Sequence, residues 1–228
     1  METPEYNRIL VTTRTVEGTR PLKLRNDLHI ARRVWHVCGV LLIVAIFNLV
    51  PRPVSLGLLV AAIGIFIPLD LLRTRKPALN RIALNWFDAV MRNSEVHQLS
   101  GLSYLLFGTF IIVYLFPAKI VTLALLMLAV GDPTSSVVGI LYGKDKIFGN
   151  KSLQGALGGF AVCSLVALIY YLSTGLMMDR ILLATLLTGV IGMLAEVIPI
   201  GRLDDNLTFP VIASTLLWLL FYLFGGFV

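Results

Sequence analysis

The chain has 228 residues, of which 57% are hydrophobic and only 14% are charged. Soluble domains carry about a quarter charged residues, so this composition excludes an ordinary soluble domain and predicts an integral membrane protein. The formal net charge of +6 would suit a nucleic-acid-binding protein, but the basic residues flank apolar segments, as they do in membrane proteins. We therefore expect no nucleic-acid partner.

About seven apolar segments are candidates for transmembrane helices, which need about 20 mostly apolar residues each. Prolines at positions 51, 53 and 117 separate neighbouring segments, because proline interrupts a helix. The predicted fold class is an all-α integral membrane protein, a bundle of about seven transmembrane helices. Residues 1–30 are predicted to be a polar N-terminal tail, and residues 31–228 one transmembrane domain. The predicted spans are residues 34–50, 54–72, 101–116, 118–142, 156–177, 180–198 and 208–228.

The longest internal connection, residues 73–100, contains an amphipathic stretch from Leu79 to Val90 that is predicted to lie in the membrane interface. With seven spans, the N-terminal tail shares one side of the membrane with loops 73–100, 143–155 and 199–207. That side carries sixteen of the nineteen basic residues, and the other side has only Arg52, Lys119 and Arg180. The positive-inside rule predicts that the crowded side, with the N-terminus, is cytoplasmic.

The fourth predicted span contains a carboxylate and a proline in the run Gly131-Asp132-Pro133. A carboxylate in a membrane span is costly and marks a functional site by default, and the proline predicts a broken helix. At helical spacing, Asp132 shares one face with Ser135 or Ser136, Gly139 and Gly143. An alternative interpretation is a helix–helix seam of small residues with a satisfied aspartate.

A loop rich in lysine and glycine follows this span. Lys144, Lys146 and Lys151 are separated by flexible backbone, and Ser152 comes next. Lysines beside such backbone are suited to an anionic phosphate ligand. The order of residues is not that of a P-loop. An ordinary positive-inside loop would also place lysines here.

A third polar group consists of Glu196, near the end of a span, and the block Asp204-Asp205-Asn206. Adjacent carboxylate and amide oxygens suit Mg²⁺, which prefers carboxylates, waters and substrate phosphates. The alternative is that Asp205 or Asn206 simply caps the last helix. Weaker signals are Arg33 and His36 at the start of the first span. Arg92 and Glu95, three residues apart, could form a surface pair of little energetic value.

Together these residues resemble the family of CTP-dependent lipid kinases, which includes dolichol, phytol and diacylglycerol kinases. The resemblance runs from about Arg32 to Pro210. The glycine–lysine block is shared with the CDP-diacylglycerol synthase group, and the Asp-Asp-Asn-Leu-Thr block is the more specific signal. Where the family usually has an acidic residue after Lys-Ser, this chain has Gln154. The matching positions are Arg32, Arg33, His36, Gly39, Arg92, Glu95, Ser100, Gly101, Tyr104, Gly131, Asp132, Gly139, Gly143, Lys144, Lys146, Lys151, Ser152, Gly155, Asp204, Asp205, Asn206, Leu207, Thr208 and Pro210.

The resemblance implies that residues 31–228 are a catalytic domain that transfers the γ-phosphate of CTP to the hydroxyl of a membrane lipid alcohol at the cytoplasmic face. Such a protein binds CTP, Mg²⁺ and a lipid that enters sideways between helices. One carboxylate, Glu196 or Asp205, would orient the attacking hydroxyl. The implied nucleotide-binding residues are Ser135, Gly143, Lys144, Lys146, Lys151 and Ser152; the implied Mg²⁺ ligands are Asp132, Asp204, Asp205 and Asn206; and the implied rim residues are Arg33, His36, Arg92 and Glu95.

Two other functions remain open at this point. A cytidylyltransferase that makes a CDP-lipid would use the same nucleotide pocket and release pyrophosphate, but its late His-Gly-Gly signature is missing from this sequence. A transporter with a broken fourth helix is the non-enzyme alternative, since broken helices at mid-membrane are common in transporters. The charged residues cluster at one face of the membrane, which favours the enzyme.

Overall fold

The computed structural model describes residues 28–149, 151–201 and 203–227. The predicted N-terminal tail up to residue 27, and Asn150 and Arg202, lie outside the described residues. The described chain is mainly helical, as predicted. Its helices are α1 (Ile30–Leu49), α2 (Arg52–Arg75), α3 (Pro77–Phe87), α4 (Gly101–Leu115), α5 (Ala118–Tyr142), α6 (Leu153–Thr174), α7 (Ile181–Val197) and α8 (Asp205–Phe224). Short 3₁₀ helices cover Asn93–Val96 and Met178–Arg180, and strands β1 (Lys146–Phe148) and β2 (Lys151–Ser152) form an antiparallel hairpin.

Six of the described helices are long and apolar enough to cross a membrane, and α4 is a shorter apolar helix of 15 residues. The transmembrane bundle is therefore confirmed, with seven crossings as an approximate number. Proline sets several helix starts, because it fits the first turn of a helix and ends the preceding one. Pro51 precedes α2, Pro77 begins α3, and Pro117 precedes α5. The predicted ends differ by up to four residues: α1 begins at Ile30 and α8 at Asp205.

Helix α5 is the central element of the bundle. It packs against α1, α6 and α8. Half of the residues in its most apolar stretch are buried, whereas the share is 11% in α1 and in α2. Lipid is as apolar as leucine, so close packing and polar contacts must hold membrane helices together. One such contact is the fully buried pair Tyr171 and Thr188, whose hydroxyl groups lie 2.6 Å apart and join α6 to α7.

A seam of glycines lets α5 and α6 approach closely. A Cβ atom on Gly155 would lie 2.8 Å from the Ser135 carbonyl oxygen and 3.1 Å from the Cα of Gly139. Real Cβ atoms essentially never come so close to backbone, so only glycine fits here without moving a helix. The small-residue seam that was considered as an alternative is therefore present. It coexists with Asp132, which faces the cavities described below.

The prediction that Gly131-Asp132-Pro133 breaks the helix is wrong, because α5 runs without interruption from Ala118 to Tyr142. Pro133 removes one backbone donor, the one that would reach the carbonyl of Ala129, and membrane helices tolerate this when neighbouring groups compensate. Beside this position, the His36 Nε2 of α1 lies 3.4 Å from the Leu128 carbonyl oxygen and so connects α1 to α5.

The amphipathic segment forms helix α3. Its large apolar side chains, among them Ile82 and Trp86, are mostly exposed, whereas Leu84 is buried. Asn80 is also buried, accepting a hydrogen bond from Arg73 and donating one to the Val96 carbonyl oxygen. These bonds hold α3 against α2 and the following 3₁₀ helix. Its place in the membrane interface stays a prediction.

The crossing of α4 and α8 gives a test of the packing. A Cβ atom on Gly108 would lie 3.0 Å from the Asn206 carbonyl oxygen and 3.0 Å from the Leu207 Cα. Because these are backbone atoms that cannot rotate away, we expect Gly108→Ala to destabilise the protein by about 1–3 kcal/mol. Thermal unfolding in detergent measures the change.

The matched control is Gly64→Ala in α2, where nothing lies within 4 Å of the new atom. Alanine is the better helix former by about 0.5–1 kcal/mol, so this variant should be neutral or slightly more stable. Equal unfolding midpoints for the two variants would contradict the proposed close contact of α4 and α8.

Candidate active site

Two cavities meet at one end of the bundle. One, of about 470 Å³, lies among α1 to α4, beside α5 and the start of α8, and most of its surface is apolar although many of its lining side chains are polar. The other, of about 350 Å³, lies among α5, α6, α7 and the hairpin and is richer in polar side chains. We call them the apolar cavity and the polar cavity. They share four lining residues: Arg92, Asp132, Ser136 and Asp205.

Three carboxylates from three helices come together in the polar cavity. Asp132 projects from α5, Glu196 from the last turn of α7, and Asp205 from the first residue of α8. One oxygen of each lies within 4.8 Å of the others, an arrangement that can hold a metal ion. Asp132 and Asp205 face both cavities, whereas Glu196 lines only the polar one.

Lys151 lies against this cluster. Its Nζ donates to Glu196 Oε1 at 2.5 Å and to Asp205 Oδ2 at 3.1 Å. Burial by itself would lower the pKa of Lys151, but the carboxylates of Glu196, Asp205 and Asp132 outweigh it and raise the pKa above its usual value. Lys151 is therefore a fixed positive charge at neutral pH.

The hairpin that carries Lys151 is fixed by Gln154, the residue that departs from the family pattern. The Gln154 Oε1 accepts from the backbone N–H groups of Lys144 and Asp145, and its Nε2 donates to Asp145 Oδ2 at 2.7 Å. Ser152 closes the loop as the N-cap of α6, its Oγ accepting from the Gly155 N–H. An amide can make all of these bonds, because it both accepts and donates.

The residues fit a divalent cation at the three carboxylates. Carboxylate oxygens are the ligands that hard divalent cations prefer, and three carboxylates converge here. The Glu196 Oε2 atom is buried and has no hydrogen-bond partner among the described residues. Such an atom is costly unless a ligand completes it. When bound, Mg²⁺ would neutralise phosphate charge and orient the phosphate oxygens.

The other two predicted metal ligands, Asp204 and Asn206, line the apolar cavity beside Asp132 and Asp205 and make structural contacts there. Asp204 is the N-cap of α8, where its carboxylate accepts from the Asn206 N–H at 3.0 Å. Burial is the main cause that raises the pKa of Asp204. The Asn206 amide donates to the Gly101 carbonyl oxygen at 3.1 Å and ties α8 to α4. The alternative that this block caps the last helix is therefore right about the block but wrong about the residue, because the N-cap of α8 is Asp204 and not Asp205 or Asn206.

The predicted nucleotide-binding residues divide into two groups. Most line the polar cavity: Ser135, Gly143, Lys146, Lys151 and Ser152. Lys144 is exposed and lines neither cavity, so the structure does not bring it to the site.

Glu95 belongs to a buried ion pair with Arg32, so the alternative of a weak surface pair between Arg92 and Glu95 does not hold. Glu95 is 6% exposed and accepts two hydrogen bonds from Arg32, at 2.6 and 2.9 Å. It also accepts from the backbone N–H of Arg92 at 3.0 Å and of Gly101 at 3.2 Å. Burial would raise the pKa of Glu95, but Arg32 and these donors lower it overall. The pair fixes the backbone at Arg92 and leaves that side chain facing the cavities.

The other rim residues lie where α1 meets α5. The Arg33 Nη2 donates to Ser136 Oγ at 3.0 Å, and His36 Nε2 lies 3.9 Å from Asp132 Oδ2. Both residues line the apolar cavity, as do Arg92 and Glu95.

Asp70 and Arg73 form a polar network that the sequence analysis missed. Arg73 donates to Asp70, to Asn80 and to the carbonyl oxygens of Glu95 and Gln98. Asp70 in turn accepts from the N–H and hydroxyl of Ser100 and from the hydroxyl of Ser103. The network holds the start of α4 beside the apolar cavity. The sequence offered one signal for this network: Asp70 and Arg73 are an acid and a base three residues apart at the end of an apolar segment, where they can pair on one helix face.

The fold and site are those of a multi-pass membrane enzyme with its chemistry at one end of the bundle. The chain is 34% identical over 161 residues to the CTP-dependent diacylglycerol kinase 1 of Schizosaccharomyces pombe, covering 66% of this chain and 74% of that protein. Proteins of the same name from Eremothecium gossypii and Saccharomyces cerevisiae are 30% and 28% identical over 72% and 69% of this chain. The chain spans 57% and 60% of the length of those two relatives.

These similarities confirm the resemblance, and the chain belongs to the family of CTP-dependent lipid kinases. No protein-family model and no solved structure matches the chain.

Lys151 and Lys144 give a matched test of the phosphate-binding role. Lys151→Arg keeps the charge but replaces a compact ammonium group with a planar fork that does not fit between Glu196 and Asp205 in the same way. We expect kcat/KM for CTP to fall roughly tenfold or more, short of the ~100-fold cost of removing a stabilising donor outright.

Lys144→Arg should leave kcat/KM within about twofold, because the Lys144 side chain is exposed on the loop. Both variants should insert normally, which protease protection in sealed vesicles checks. Equal kinetics for the two variants would mean that Lys151 is only a positive-inside charge.

Proposed function

We propose that this protein transfers the γ-phosphate of CTP to the hydroxyl of diacylglycerol, with Mg²⁺, at the cytoplasmic face of a membrane. The observation that carries the proposal is the meeting of a polar and an apolar cavity at Asp132 and Asp205. A kinase for a membrane lipid needs such a junction, because its two substrates have opposite polarity. Diacylglycerol is chosen over phytol or a polyprenol because the relatives are named for it.

The nucleotide would bind in the polar cavity. Lys146 and Lys151 provide positive charge, Ser135 and Ser152 provide hydroxyl groups, and the glycine seam leaves room for phosphates close to the backbone. Phosphoryl transfer is catalysed mainly by positioning and by neutralising charge on the phosphate oxygens. Lys151 supports both, because its ammonium group is held beside Glu196 and Asp205.

The lipid would bind in the apolar cavity. Phe66, Leu69 and Ile82 line it and are exposed on helices that face the lipid in a transmembrane bundle. The acyl chains could therefore remain in the bilayer while the hydroxyl reaches the junction. Asp132 is the carboxylate best placed to accept the hydrogen bond of that hydroxyl, because no described residue donates a hydrogen bond to it and it faces both cavities.

In this proposal the three carboxylates share the metal ion, and they differ in which substrate they face. Asp132, Glu196 and Asp205 would hold Mg²⁺. The sequence analysis left open whether Glu196 orients the attacking hydroxyl. Because Glu196 lines only the polar cavity, it would act on the nucleotide and not on the hydroxyl. The site lies at the end of the bundle with most basic residues, which supports a cytoplasmic active site and N-terminus.

The reaction is tested with γ-labelled CTP, Mg²⁺ and a panel of diacylglycerol, phytol, dolichol and undecaprenol in mixed micelles. We expect label in phosphatidic acid and release of CDP, with little label in the other lipids. A CDP-lipid with pyrophosphate would instead establish a cytidylyltransferase. Label in an isoprenoid but not in diacylglycerol would keep the kinase and change the acceptor.

The metal site is tested with Mn²⁺ as a spectroscopic substitute for Mg²⁺. Asp132→Asn and Glu196→Gln should each weaken Mn²⁺ binding about 10- to 100-fold, followed by electron paramagnetic resonance, and should lower kcat in parallel. Asp179→Asn is the control, since this exposed residue lies between α6 and α7, pairs with Arg180 and lines neither cavity. Unchanged Mn²⁺ affinity in both site variants would refute the three-carboxylate metal site.

A further inference from the structure

The arginines around the apolar cavity differ in whether a carboxylate neutralises them. Arg32 is paired with Glu95, and Arg73 with Asp70, each at 2.6 Å. Among the described residues, neither Arg33 nor Arg92 has a carboxylate within 4.0 Å. Two positive charges thus face the cavity without a paired anion.

Each of these two arginines also has an unused hydrogen-bond donor. The Arg33 Nη1 and the Arg92 Nε are buried and have no hydrogen-bond partner within the described part of the chain. A buried donor on a charged group is costly to leave unpaired. Both side chains line the apolar cavity, so an anion bound there could accept a hydrogen bond from each of these donors.

The positions of the two side chains indicate which anion this is. Arg92 lines both cavities, but Arg33 lines only the apolar one and is oriented there by its hydrogen bond to Ser136. A phosphate that contacts both arginines would therefore lie on the lipid side of the junction. Guanidinium groups bind phosphate oxygens through parallel hydrogen bonds, which favours a phosphate monoester with three free oxygens.

We propose that Arg33 and Arg92 form a binding site for the phosphate monoester of the phosphorylated lipid. The site rests on the proposed function for the identity of the lipid, which is phosphatidic acid if diacylglycerol is the acceptor. The enzyme then binds its lipid product more tightly than its lipid substrate. Phosphatidic acid should consequently compete with diacylglycerol for the apolar cavity.

Equilibrium binding without CTP tests this directly. The purified full chain in nanodiscs is titrated with dioleoyl phosphatidic acid, with dioleoylglycerol, and with phosphatidylmethanol, which has the same chains but a phosphodiester. We expect phosphatidic acid to bind at least about tenfold more tightly than the other two, since a charged hydrogen bond gives a factor of about ten or more. Equal affinity for phosphatidic acid and dioleoylglycerol would overturn the proposal.

Variants assign the preference to the two arginines. Arg33→Gln and Arg92→Gln should each weaken phosphatidic acid binding about tenfold or more and leave dioleoylglycerol binding within about twofold. Arg81→Gln is the control, because this exposed arginine of α3 lines neither cavity. A parallel loss for both lipids would mean that the arginines only support the cavity and would overturn the proposal.

Two further measurements complete the test. If a glutamine variant fails to fold, Arg33→Lys and Arg92→Lys replace it, because lysine retains the positive charge but lacks the planar guanidinium group. Unchanged phosphatidic acid binding in both lysine variants would overturn the proposal. Inorganic phosphate should compete poorly; full competition would show a free-phosphate site instead. The binding experiment contains no CTP, so its result does not depend on phosphoryl transfer. Failure of phosphoryl transfer would refute the proposed function, whereas equal affinity for the two lipids would refute this site alone.

Discussion

The need to neutralise charge at the end of a membrane bundle determines how this protein is built. Isolated charges there are costly, and a carboxylate deprived of its partner costs about 3–5 kcal/mol. Lys151 meets this need for Glu196 and Asp205, and in doing so joins the hairpin to α7 and α8. Arg32 does the same for Glu95 and joins α1 to the segment before α4. The ion pairs are therefore also the connections that position the site.

Small residues make this arrangement of charges possible. Gly155 allows α6 to approach the backbone of α5 at Ser135, and Gly108 allows α4 to approach α8 beside Asn206. These approaches bring α6, which follows the hairpin of Lys151, close to α5, and α8, which begins at Asp205, close to α4. In a bilayer, where burial of apolar area does not separate one helix packing from another, such close contacts supply much of the specificity.

The sequence was sufficient for the parts of the fold that depend on local composition. Apolar runs between prolines predicted the helices, and the polar blocks predicted Asp132, Lys151, Glu196 and Asp205 as one group at one face. The partners of these residues depend on which helices touch, and a single sequence does not reveal that. Arg92 and Glu95 are neighbours along the chain, yet Glu95 pairs with Arg32, 63 positions away. Pro133 also suggested a helix break, because proline cannot donate the backbone hydrogen bond of a helix interior, yet α5 continues through it.

Charged groups of both signs meet at the junction of the two cavities. Glu196 lines only the polar cavity and Arg33 only the apolar one, whereas Asp132, Asp205 and Arg92 line both. The three carboxylates attract a cation and with it a nucleotide triphosphate, and the two arginines attract an anion directly. Under the proposed function, a phosphoryl group that moves from CTP to the lipid passes from a site that holds it through a metal to a site that holds it through guanidinium groups. Under the same proposals, an uncharged lipid would keep its hydroxyl near Asp132, and once phosphorylated it would be held by the arginines instead, because a phosphate is repelled by a carboxylate and attracted by guanidinium groups.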